Sequence, residues 1–178
     1  MPSPGMAWRH VIISTRNAWL PGDRRGWRSR RHKRHSSGDY RHPPPPGEHE
    51  GLYRYSKRIS GERVDLPPDM RPIIGQTLID ALCEHGRRVI AASVDDWHAH
   101  LLVELPDDMT TIRRIVGDAK CQASRAVRLQ LPGRIWAAGG TFKRIASHAH
   151  HREVFGYILD HALKGAWTWS YRDDAPSD

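Results

Sequence analysis

Four segments of the chain have the pattern of β-strands, because apolar or β-branched residues are bounded by polar ones. They are residues 8–16, 88–94, 98–105 and the shorter 139–146. The turn-like Asp-Asp-Trp at 95–97 separates the second segment from the third, which predicts a β-hairpin.

Three other segments repeat their apolar residues at helical spacing. The first covers residues 69–85, and the second, which is amphipathic, covers residues 107–131. The third covers residues 148–164, with Ser147 as a candidate N-cap and Gly165 as its end. The apolar face of the second segment consists of Ile112, Ile115, Val116, Ala119, Ala123 and Val127.

The order of these elements is β-α-β-β-α-β followed by a C-terminal helix. It predicts an α+β protein with the split βαβ arrangement of ferredoxin-like folds. We expect an antiparallel sheet with helices on one face. This fold supports many functions and indicates none of them alone.

A long segment after the first strand, residues 20–68, shows neither helical nor strand period. It is rich in Gly, Pro, Arg and His and includes four prolines at 43–46. A loop of this length inside a domain is expected to be functional, or disordered until it meets a partner. We predict a single domain over residues 1–178, with this insertion and an acidic, disordered tail at 170–178.

The net charge of +8 and the pI near 10.0 favour a polyanionic partner such as nucleic acid. The charge is concentrated in residues 24–42, which hold eight Lys or Arg and one Asp. Basic side chains alternating with aromatic rings can bind phosphates and stack on unpaired bases. The candidate nucleic-acid-binding residues are Arg24, Arg25, Trp27, Arg28, Arg30, Arg31, Lys33, Arg34 and Arg41. A flexible segment that binds any polyanion is the alternative.

Compartment and membrane association are predicted from the cysteines and the apolar runs. Only two cysteines occur, which favours a reduced, intracellular protein. The first residues lack the pattern of a secretory signal, and no apolar run reaches the length of a membrane span. We expect a cytoplasmic, nucleoid-associated protein with no membrane partner.

The third strand begins with His98 and His100, in the stretch VDDWHAHLLVEL. Twelve histidines in 178 residues predict about 0.8 such pairs by chance, so the pair alone is weak evidence. Residues i and i+2 of a strand share a face, which brings both imidazoles to the same side. The alternative is a pair of histidines at a solvent-facing strand end.

The last helix carries candidate partners for this pair. His150, Val154, Tyr157 and His161 follow the spacing of one helix face. The alternative role for Tyr157 is that of a half-buried core tyrosine.

Four features occur in an order that resembles the single-tyrosine HUH transposases, in particular the REP-associated tyrosine transposase group. They are HAHLLVEL at a strand, the amphipathic helix after it, a segment with Trp136, Gly140, Phe142 and Ile145, and VFGYILDHA in the last helix. The resemblance covers residues 8–16 and about 70–165.

The resemblance implies a site and a reaction. In that family the two histidines bind a metal ion, a tyrosine of the last helix is the nucleophile, and the residue four places later completes the metal site. These roles fall on His98 and His100, on Tyr157, and on His161. The implied cofactor is a divalent ion, Mg²⁺ or Mn²⁺. The implied activity is cleavage and rejoining of single-stranded or hairpin (REP-like) DNA through a 5′-phosphotyrosine, by a monomer or homodimer.

The chain also departs from the family pattern. The histidines follow Asp-Asp-Trp instead of the usual PNHVH-like approach, and the insertion is longer than expected. A third histidine ligand would make an all-imidazole site, which suits transition metals better than Mg²⁺. Two other functions agree with the same residues: a domesticated DNA-binding protein that does not cut, and a basic ferredoxin-like RNA-binding protein.

Overall fold

The computed structural model describes residues 1–29, 34–38 and 41–173, and the chain divides into two compact units. One unit, here the sheet unit, comprises Met1–Thr15 and Asp65–Asp178. The other, here the basic unit, is Arg16–Val64 and corresponds closely to the predicted insertion. The prediction of a single domain stays a prediction. No helix in the described ranges is long and apolar enough to cross a membrane.

The sheet unit is built on five antiparallel strands in the order β4-β1-β3-β2-β5. They are β1 (Met6–Ser14), β2 (Val89–Val94), β3 (His98–Pro106), β4 (Thr141–Arg144) and β5 (Trp167–Ser170). The first four match the predicted strands, and their order is that of a ferredoxin-like sheet, so the predicted fold class is confirmed. The sequence did not predict β5, which includes Ser170 of the expected disordered tail. Residues 174–178 of that tail lie outside the described residues.

Two helices, α2 (Arg71–Glu84) and α3 (Met109–Ala126), cover one face of this sheet. Trp167 and Ala99 both lie opposite Val94 in the register, so they share this face. The Trp167 ring lies directly against Gly75 of α2, which identifies the side on which α2 packs. The predicted apolar face of α3 is confirmed, because all six of its members are buried.

The last helix, α4 (His148–Leu159), packs against the opposite face. Its Val154 and Ile158 form a buried cluster with Ala91 and Leu102. The expectation of helices on one face therefore holds for α2 and α3, whereas α4 covers the other side because its apolar residues meet Leu102. Ser147 caps α4 as predicted, since its side chain accepts a hydrogen bond from the His150 backbone.

The basic unit contains a helix that the sequence pattern did not predict, α1 (Glu50–Ser60). Only Ser56 of this helix is buried, while Leu52, Tyr55 and Ile59 are exposed. Leu52, Tyr55 and Ile59 are spaced three and four residues apart, which is a helical period, so the expectation of an irregular insertion overlooked this pattern and was wrong. The unit also contains an isolated antiparallel β-bridge between Arg28 and His35.

Candidate metal centre and tyrosine site

The first residues of β3 bring His98 and His100 to the same face of the sheet. Ala99, between them, faces the opposite core and is fully buried. The two imidazole centroids are 4.6 Å apart. The strand alternation that the sequence predicted therefore places both rings beside the same space.

His161 joins this pair from the end of the last helix. The α-helical turns of α4 stop at Leu159, and a 3₁₀ turn over Asp160–Lys164 carries His161 inward. Its ring centroid lies 4.7 Å from that of His100 and 5.5 Å from that of His98. One ring nitrogen from each of the three histidines lies within 4.8 Å of the others.

This histidine trio fits a divalent metal ion. Nε2 of His100 and Nε2 of His161 are buried and have no hydrogen-bond partner among the described residues. Buried polar atoms without a partner are unfavourable, and a shared ion would provide one. Nitrogens that bind one ion at about 2.0–2.1 Å lie at most about 4.2 Å apart, so small ring rotations are sufficient. Asp95, Asp96 and His98 form an overlapping group that could also hold an ion.

His10 on β1 is a member of the cluster that sequence reasoning missed. It lies opposite Leu102 in the β1–β3 register and so projects to the same face as His100. Its Nε2 is 2.9 Å from Nδ1 of His100. A neutral His100 with its Nε2 lone pair toward an ion carries its proton on Nδ1, and therefore donates to His10. His10 thus fixes the tautomer that metal binding requires.

Asp95 has the same relation to His161. Its Oδ2 lies 3.3 Å from Nδ1 of His161, and 3.8 Å from Nε2 of His98. Burial alone would raise the pKa of Asp95, but hydrogen bonds from Asp96 and the charge of His98 outweigh it, and the pKa lies below its usual value. An ionised Asp95 accepts from Nδ1 of His161 and leaves Nε2 directed away from the carboxylate.

The electrostatic environment keeps two of these imidazoles neutral. Burial, together with the charges of Lys143 and His150, lowers the pKa of His10 to about 4. Burial, together with the charges of His98 and His10, lowers the pKa of His100 to about 2. Both rings are therefore neutral at pH 7, which is the form in which a ring nitrogen binds a metal.

Tyr157 lies at the edge of the trio. Its ring centroid is 5.0 Å from that of His161 and 5.4 Å from that of His100, and both contacts are edge-to-face. His10 contacts it at 5.8 Å. The residue is 46% exposed although His100 and His161 are buried. A phosphate group in solution can therefore approach the tyrosine beside the trio.

The predicted nucleic-acid-binding residues belong to the basic unit. Arg25 is engaged internally, since its guanidinium donates to both oxygens of Asp23 and to the carbonyl of Ala18. Arg24, Arg28, Arg34 and Arg41 are exposed, and Trp27 is half-buried. Arg30, Arg31 and Lys33 lie outside the described residues. The role of the whole set in nucleic-acid binding stays a prediction.

No protein-family model matches this chain, and no curated protein matches it. A solved structure described as a REP-associated tyrosine transposase bound to a REP hairpin is similar in fold. The two chains are 16% identical, with a TM-score of 0.45, and the similarity covers 92% of this chain and 70% of that one.

Proposed function

We propose that this protein cleaves and rejoins single-stranded or hairpin DNA in a metal-dependent reaction, with Tyr157 as the nucleophile. One observation carries the proposal: a half-exposed tyrosine contacts two buried histidines whose Nε2 atoms lack a partner among the described residues. A core tyrosine would be buried, and a solvent-facing histidine pair would not converge with a third histidine. The alternative roles of these residues are therefore less favoured.

His98, His100 and His161 would hold the ion, and His10 and Asp95 would orient two of them. Three imidazole ligands suit a transition-metal ion better than Mg²⁺, because Mg²⁺ prefers oxygen ligands. When bound, a divalent ion polarises a phosphate and stabilises negative charge on its oxygens.

The covalent step exchanges one phosphate ester for another. The hydroxyl oxygen of Tyr157 forms a bond to phosphorus, the bond from phosphorus to the 3′-oxygen breaks, and the 3′-oxygen gains a proton. A tyrosine hydroxyl has an ordinary pKa of about 10, and its proton passes to water, to which Tyr157 is exposed. Because the link between Tyr157 and the DNA is itself a phosphodiester, attack by a 3′-hydroxyl on it rejoins strands without ATP. No G-x-x-x-x-G-K-[S/T] loop occurs in the sequence, which agrees with such a reaction.

The charge distribution supports a nucleic-acid partner. Residues 16–64 contain 13 of the 28 Lys and Arg but only 5 of the 20 Asp and Glu, a net charge of +8. The remaining 129 residues have 15 of each and carry no net charge. The basic unit therefore accounts for the whole excess, as expected for a segment that neutralises phosphates.

The test is covalent capture of DNA. The full chain is incubated with Mn²⁺ and a labelled library of hairpins that have randomised single-stranded flanks, and products are separated under denaturing conditions. We expect a labelled protein band that protease removes, and its loss in Tyr157→Phe. Tyr171→Phe is the matched control, since Tyr171 is also exposed but lies after β5, outside the cluster.

Two outcomes would contradict the proposal. A band that persists in Tyr157→Phe would assign the attachment to another residue. Absence of any band from the wild-type protein, under conditions in which the same hairpins bind tightly, would favour a DNA-binding protein that does not cut.

A further inference from the structure

The basic unit contains a cleft that the proposed cleavage reaction does not use. Its volume is about 420 Å³, within the range of about 300–1,000 Å³ that is usual for ligand pockets. Two tryptophans and two arginines, Trp19, Trp27, Arg25 and Arg28, contribute to its walls. Flat rings and cations in one cleft are the groups that bind unpaired bases.

Arg25 and Trp19 form a fixed planar surface on one part of this cleft. The guanidinium carbon of Arg25 lies 4.1 Å from the centroid of the Trp19 ring. Its Nη2 nitrogen donates to the carboxylate of Asp23 and to the carbonyl of Ala18, each at 2.6 Å. Because the buried Asp23 balances its charge, Arg25 serves as a stacking surface rather than as a phosphate ligand.

Trp27 is held in place by backbone hydrogen bonds to Ser36, beside the bridge between Arg28 and His35. Its backbone carbonyl accepts from the Ser36 amide, and its amide donates to the Ser36 hydroxyl. Its ring packs edge-to-face on His49, with centroids 5.3 Å apart. Gly26, just before it, adopts a φ of 93°, which favours glycine. The ring is therefore ordered before any ligand arrives.

The cation of the cleft is Arg28, which is exposed. With the net charge of +8 carried by this unit, the cleft favours an anion that also has a flat ring. A nucleotide within a strand has both features. A paired base is covered on both faces and along one edge, so only an unpaired base can enter.

We propose that this cleft binds one unpaired nucleobase of single-stranded DNA, with the base against Trp19 and Trp27 and a neighbouring phosphate near Arg28. The inference rests on the proposed DNA partner but not on cleavage at Tyr157. It adds a recognition element: the protein would recognise a base in a hairpin loop or flank because that base is unpaired.

The experiment compares an intact strand with one that lacks bases. Binding of a labelled oligothymidylate, and of the same strand with abasic residues, is measured by fluorescence anisotropy with the full-length Tyr157→Phe protein. We expect Trp19→Ala to weaken binding of the intact strand about 5- to 160-fold, since stacking is worth about 1–3 kcal/mol per base. Binding of the abasic strand should not change. Trp19 is 43% exposed, so its removal leaves the core intact, and Leu52→Ala in the same unit is the control for stability.

A second pair of variants separates the cleft from overall charge. Arg28→Gln and Arg58→Gln remove the same charge, but Arg58 lies on α1, where it contacts Tyr55, and does not line the cleft. We expect Arg28→Gln to weaken both strands more than Arg58→Gln does.

Equal effects of Trp19→Ala on the intact and the abasic strand would overturn the proposal, as would equal effects of the two arginine variants. The result is independent of the capture experiment. If the protein forms no covalent adduct but Trp19→Ala still weakens binding of the intact strand alone, the cleft proposal stands and only the cleavage proposal fails. If the protein forms the adduct but Trp19→Ala affects both strands equally, only the cleft proposal fails.

Discussion

Each histidine of the trio has two ring nitrogens, and the partner of one decides what the other can do. For His100 that partner is His10, and for His161 it is Asp95. These neighbours hold the rings in one tautomer and one orientation before an ion binds. Metal affinity is therefore expected to depend on residues that do not touch the ion.

Substitution of His10 is the most direct test of this dependence. We expect His10→Ala to weaken Mn²⁺ binding to the metal-free protein about 10- to 100-fold, because Nδ1 of His100 loses its acceptor and the ring can turn. His10→Gln, which can still accept near the same position, should recover part of the loss. Isothermal titration calorimetry measures the affinity directly.

The control is His151→Ala, which removes a histidine that contacts Trp8 and lies outside the trio. If it weakens Mn²⁺ binding as much as His10→Ala does, the effect comes from lost stability rather than from ring orientation.

The sequence predicted the trio but not the residues around it, for a physical reason. His98 and His100 are two positions apart on one strand, and Tyr157 and His161 are four apart on one helical face, so local periodicity indicated each pair, and the family resemblance implied that the two pairs meet. His10 meets His100 only through the β1–β3 register, across 90 positions. A single histidine in a strand has no local pattern that reveals such a contact.

Among the secondary-structure elements, those in which an apolar pattern was recognised could be predicted. α2, α3 and α4 have apolar residues at helical spacing and were found, whereas the four-residue β5 was missed. Its position depends on packing, because the Trp167 ring needs a flat partner on α2. Gly75 provides that surface.

Substitutions at two glycines in helix interiors, Gly75 and Gly117, test this packing. A Cβ added at Gly75 would lie 1.9 Å from a Trp167 ring carbon, whereas one added at Gly117 of α3 meets nothing within 4 Å. We expect Gly75→Ala to lower the free energy of unfolding by about 1–3 kcal/mol because of overpacking. Gly117→Ala should raise it by up to about 1 kcal/mol because alanine favours the helix. Urea unfolding of both variants measures the two values, and a Gly75→Ala protein as stable as wild type would contradict the placement of β5.

In the whole molecule, the candidate site residues and the net positive charge lie in different segments of the chain. The tyrosine and the histidine trio belong to the sheet unit, which has no net charge, while the basic unit carries the +8. The sequence showed this separation, since charge can be counted directly. The internal structure of the basic unit was not predicted: the helical spacing of Leu52, Tyr55 and Ile59 in α1 was overlooked, and the single bridge between Arg28 and His35 has no local pattern that reveals it.

This separation predicts which arginines set the salt dependence of DNA binding. Replacing the exposed Arg24, Arg28 and Arg34 with Gln lowers the net charge from +8 to +5. Each lost phosphate contact should reduce the slope of log affinity against log salt by about 0.7 for single strands, so the triple variant should lose up to about 2.

The matched control removes the same charge from the sheet unit. Arg113, Arg125 and Arg128 are exposed on α3 or just after it, and α3 covers the face of the sheet opposite the histidine trio. Their replacement by Gln should leave the slope near that of the wild type, because these arginines make no phosphate contact and their loss changes no counterion release. Anisotropy titrations of one oligothymidylate over a range of salt concentrations compare the three proteins. Equal slopes for the two triple variants would mean that DNA responds to net charge alone, and the basic unit would then lose its role as the phosphate-binding surface.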